Sequence, residues 1–105
     1  MSKIRTNGRF NHFVAVGASG TAAAVDFLMD ALATQDDFAT TRLVDYALSL
    51  VETAEGFDRL HSYLFNGTQR QRNYAALYFK RLDEYGILKE ALAQGKVDSL
   101  QVFNR

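Results

Sequence analysis

Residues 68–86 read TQRQRNYAALYFKRLDEYG, and this stretch decides the fold class. Thr68 followed three residues later by Gln71 is a capping-box pattern, a hydroxyl for the third amide and a carboxamide reaching back. Behind it Tyr74, Leu77, Tyr78, Leu82 and Tyr85 share one helical face, with Ala75, Ala76 and Phe79 beside it. The pattern predicts a long helix that Gly86 ends. Upstream, Phe57, Leu60, Leu64 and Phe65 predict a shorter helix that stops at Asn66-Gly67. Gly67 and Gly86 are both expected in the left-handed conformation that closes a helix.

Working further outward, the helical signals continue. Leu43, Ala47, Leu50, Val51 and Ala54 make an apolar stripe widened by Val44 and Leu48. Thr21 and an alanine triplet open another, with Val25, Leu28, Met29 and Leu32 at helical spacing. Toward the C-terminus Ile87, Leu88, Ala91 and Leu92 predict a short helix ended by Gly95. Asp98-Ser99-Leu100-Gln101 is a second capping pattern, with Val102 and Phe103 expected inward.

The punctuation repeats. Gly56 and Gly86 stand 30 residues apart, Gly67 and Gly95 stand 28 apart, and Arg42 and Arg72 match at an offset of 30. Over about residues 40–95 this resembles, in architecture, the helical-hairpin units of HEAT and tetratricopeptide repeats. The expected fold is therefore all-α: five or six helices in antiparallel hairpins, forming either a short HEAT-like solenoid stub or a compact helical bundle. Residues 21–105 are read as a single helical domain.

Residues 1–20 read differently. Phe10, Phe13, Val14 and Val16 lie among Gly and Asn residues, in a stretch that suits a short strand, an extended arm or an early helix. A lone strand has no partner for its backbone groups, so these residues are taken as an N-terminal arm, extended or irregular. Such an arm lies on the helices or crosses to a second copy.

Composition narrows the function. The 105 residues include no proline and no cysteine, and hydrophobic residues make up 48%. That excludes a disulfide scaffold, a cysteine nucleophile and a thiolate metal site, and it disfavours a turn-rich β-sandwich. Twelve basic and twelve acidic residues cancel, so no whole-molecule field draws the chain to nucleic acid or anionic lipid. The apolar run from Phe13 to Ala18 is too short for a signal peptide or a membrane span, and a cytoplasmic location is the expectation. Charge is uneven along the chain: residues 21–58 hold eight acids against one base, and residues 59–105 eight bases against four acids. A two-fold dimer could set one region against the other.

Few residues suggest chemistry. Val14 to Thr21 reads as strand, glycine turn and helix, but no later segment alternates like the further strands a dinucleotide fold needs. The free amides where that helix starts could at most hold a phosphate or carboxylate. His12 and His61 lack companions for a metal site, and Asp36-Asp37 is better read as a helix start than as an acid/base pair. No catalytic, cofactor-binding or metal-ligating residues are assigned. Arg70, Arg72, Tyr74, Tyr78 and Arg81, with Lys80 beside them, combine the residue types enriched in interfaces. Phe10 and Phe13 join them as candidate interface residues. The expected function is a non-enzymatic interaction module that binds another protein or, as a homodimer, itself. The alternative is a small nucleic-acid-associated or regulatory protein using the Arg70–Arg81 face.

Overall fold

The computed structural model describes residues 2–35, 37–99 and 102. Of these, 79% are helical, and no strand occurs among them. Six helices follow one another: α1 (Ser2–Ser19), α2 (Ala22–Thr34), α3 (Phe38–Leu48), α4 (Ala54–Asn66), α5 (Gln69–Arg81) and α6 (Tyr85–Ala93). The expected all-α class is what the chain adopts. It divides into two compact units, Met1–Arg59 and Leu60–Arg105, so the division falls inside α4.

In the first unit α1, α2 and α3 each pack on the other two. The α2 stripe is the centre: Val25, Leu28, Met29 and Leu32 are fully buried. Thr21 caps this helix by accepting the Ala24 amide at 3.0 Å. Asp37 caps α3, accepting the Thr40 amide at 2.9 Å. Arg9 reaches Thr40, and Gly17 lies against Ala47, so α1 and α3 run the same way while α2 runs back between their ends.

Residues 2–19 are thus helix, not an extended or irregular arm. Phe10, Phe13, Val14 and Gly17 fall at i, i+3, i+4 and i+7, which is a helical stripe with a glycine in its last place. Gly17 is a contact residue rather than a turn: a Cβ there would stand 2.1 Å from the Ala47 carbonyl oxygen. Phe13, one of the candidate interface residues, is buried in the same stripe. The turn glycine is Gly20, with φ +67.

Helix α4 begins against the turn between α1 and α2. The Thr53 hydroxyl donates to the Gly20 carbonyl and accepts the Gly56 amide at 2.9 Å, capping α4. The Ala22 amide donates to Glu55 Oε2 at 2.8 Å, and Arg59 grips Asp26 through two bonds of 2.7 and 2.9 Å. All three links join residues 33 apart, so α2 and the first turns of α4 run side by side in the same direction. The stripe expected through Ala54 is broken, since α3 ends at Leu48 and residues 49–53 form a turn.

In the second unit Leu60 and Leu64 of α4, Ala75, Ala76 and Phe79 of α5, and Leu88 and Ala91 of α6 are buried, with Val97 and Val102 closing the core. The capping box at Thr68 and Gln71 forms in both directions, and it satisfies the buried Gln71 side chain. Two helix ends differ from expectation. Helix α5 stops at Arg81, and Asp83, not Gly86, takes the left-handed position with φ 59. There the Glu84 amide returns to the Phe79 carbonyl and the Asp83 amide to that of Lys80, the double bond pattern of a Schellman close. Gly86 lies in the first turn of α6, and Gly67 has no positive φ either. Gly95, at φ +72, closes α6 as the sequence implies.

Helices α3 and α5 begin 31 residues apart, as do α4 and α6, and Gly56 and Gly86 each sit in the first turn of the later helix. Gly56 and Gly86 mark the starts of α4 and α6, and Gly67 and Gly95 follow their ends.

These glycines can be told apart by mutation. Gly17→Ala should destabilise the fold by about 2 kcal/mol, because backbone must move to admit the methyl. Gly86→Ala meets nothing within 4 Å and should stabilise by about 0.5 kcal/mol. Urea melts of the two variants against wild type measure both signs.

Candidate interaction surfaces

The α5 residues divide between surface and interior. Arg70 and Arg81 are exposed, Tyr74 is half-buried, and Tyr78 belongs to the core at 3% exposure. Tyr78 packs edge-on against Phe79, with ring centres 5.2 Å apart. Arg72 is a brace: its Nε donates to the Lys96 carbonyl and one Nη to the Gly67 carbonyl, both at 2.8 Å. It ties the turn before α5 to the segment after α6. Two of the five expected α5 interface residues therefore serve the unit itself.

What remains outside is an edge and a pocket. Leu77 and Leu82 are exposed, and Leu77, Lys80, Arg81, Asp83 and Tyr85 line a pocket of about 360 Å³ at the α5–α6 corner. Leu77 and Tyr85 give it an apolar lining, and Lys80, Arg81 and Asp83 add charges of both signs. The left-handed turn at Asp83 is what brings Tyr85 round to face the last turn of α5.

The first unit has an aromatic surface that the α5 pattern did not announce. Phe38, Arg42 and Tyr46 recur every four residues along α3, opposite its buried residues Thr40, Val44, Ala47 and Leu48. Phe38 is 74% exposed, with the Arg42 guanidinium 5.5 Å from its ring centre. Tyr46 stacks on Phe10 of α1, 5.9 Å between centres and 15° between planes, and both rings are open to solvent. The four-residue spacing was legible, but these rings do not belong to the apolar stripe that the eye follows. Phe27 is a further exposed ring, held edge-on by His12 at 5.3 Å and packed on Phe13 at 5.4 Å.

At the start of α2, the expected anion position, the Ala22 amide is taken by the chain's own Glu55 carboxylate and the Ala24 amide by Thr21. His61 lies on Phe65, with ring centres 4.9 Å apart. Among the described residues no three His, Cys, Asp or Glu side chains gather as metal ligands. No buried side-chain polar atom among them lacks a hydrogen-bond partner. No described helix is long and apolar enough to cross a membrane. No family model matches the chain, and no curated protein or solved structure matches it either.

The ionisation of the Asp37 carboxyl is displaced downward from an ordinary value of 3.8. The Thr40 hydroxyl, donating to Oδ1 at 2.7 Å, is the main cause, followed by the Thr40 amide on Oδ2. A carboxyl lowered by folding favours the native state above its unfolded value and loses that effect as pH falls through the native one. Wild-type stability should therefore decline from about pH 4 downward, and Asp37→Asn should show a shallower decline. Thermal melts across that range compare the two slopes.

Proposed function

We propose that the protein is a non-enzymatic, cytoplasmic helical interaction module that binds another protein or a second copy of itself. The carrying observation is the row of aromatic rings held outside a core already filled. Phe13, Tyr78 and Phe79 serve the two interiors, yet Phe10, Phe38 and Tyr46 stand in solvent. Aromatic side chains bury a large area at little conformational cost, which is why they anchor interfaces. Arg42 over Phe38 adds the other residue type enriched there. No cofactor enters this reading.

The nucleic-acid alternative keeps Arg70, Lys80 and Arg81 on the surface of the second unit but loses Arg72 and Tyr78 to internal contacts. That leaves three cations beside Tyr74 and a carboxylate at Asp83. Protein binding is the better supported of the two.

A photo-reactive phenylalanine analogue in place of Tyr46 tests the reading. In an extract of the source cells it should cross-link to protein, either this chain or another, while the same group in place of exposed Lys89 should not. Equal labelling from both positions rejects the surface. Oligonucleotide retention that falls steeply with salt, and is lost in Lys80→Glu, would favour the alternative instead.

A further inference from the structure

The proposed module carries, on one chain, both halves of a complementary contact. The first half is the corner where α3 begins. Phe38 projects there at 74% exposure, with a neighbouring anion in the chain and a cation over its ring. The anion is the Asp37 carboxylate, whose two bonds to Thr40 leave further acceptor positions on its oxygens. The cation is the Arg42 guanidinium. The second half is the α5–α6 pocket, with Leu77 and Tyr85 as apolar walls, Lys80 and Arg81 as cations and Asp83 as an anion. Ring answers apolar wall, Asp37 answers Lys80, and Arg42 answers Asp83. A pocket of about 360 Å³ is at the small end of ligand cavities, a size for one aromatic side chain rather than a helix.

We infer that the partner is a second copy of this chain, and that the Phe38 corner of one copy docks in the α5–α6 pocket of the other. The inference rests on the interaction-module reading and names the partner. The charges of the two units support it. Residues 1–59 hold eight acids against five bases, and residues 60–105 seven bases against four acids. The first unit of one copy is therefore attracted to the second unit of another before any ring is seated. Desolvating Phe38 supplies the affinity, and the two ion pairs at its sides set the orientation.

Light scattering between about 10 and 500 μM tests this. The wild-type mass should rise with concentration, and less so at high salt. Phe38→Ala and Lys80→Glu, each with an unchanged helical spectrum, should associate at least tenfold more weakly. An equal mixture of the two variants should regain two-chain species, because the intact Phe38 of one still meets the intact pocket of the other. A wild type that stays monomeric overturns the inference, as does a Phe38→Ala variant that associates normally or a mixture that stays monomeric. A monomeric wild type whose position 46 still cross-links to a different protein retains the module and removes only the self-contact. Absence of both signals removes both.

Discussion

The Thr53 hydroxyl holds the first unit in register. It gives its proton to the Gly20 carbonyl and takes the Gly56 amide, so one oxygen closes the turn between α1 and α2 and starts α4. The close fit explains its neighbours. A Cβ on Gly56 would stand 2.5 Å from the same Gly20 oxygen and 2.4 Å from Val51, so glycine is required where the corner presses in. Gly20 itself needs its positive φ to present that carbonyl. Glu55 and Arg59 then continue the seam along α2, one by meeting an amide and the other by meeting Asp26. The Asp26–Arg59 pair is partly exposed and adds little energy alone. Its value is directional, since it fixes which turns of α2 and α4 face each other.

Much of this was legible in the sequence because the signals were local. The capping box at Thr68, the cap at Thr21, the closing Gly95 and the α2 stripe each depend on residues within one or two turns, and each is where the pattern puts it. The misread positions are those where a distant backbone decides. Gly17 looks like a turn residue until Ala47 is seen against it, and with that glycine counted as a break the stripe of α1 disappears. At the end of α5 the αL position falls to Asp83, a residue that tolerates it less readily than glycine, so the marker at Gly86 pointed three residues too far.

The candidate surface was legible in part for a related reason. Residue type and helical spacing identify Arg72 and Tyr78 as interface-like, but cannot distinguish an arginine facing solvent from one whose fork meets two carbonyls. Conversely Phe38 and Tyr46 carry no signal of core or surface until the buried side of α3 is fixed by Thr40, Val44 and Ala47. Exposure is a property of the packed unit, and only the three-helix contact reveals it.

The same seam bears on how the chain reaches its native state. The links from the α1–α2 turn and α2 to the start of α4 join residues 33 apart, and the closure cost of a loop grows only with the logarithm of its length. The turn from α1 to α2 is a still shorter closure, so that hairpin can form locally and offer a template on which α3 and the start of α4 then settle. A helical chain of this low contact order is expected to fold in microseconds to milliseconds. In the native state α3 lies against Gly17 and the α2 helix, where glycine lets two backbones come together without a side chain to be cleared from the way.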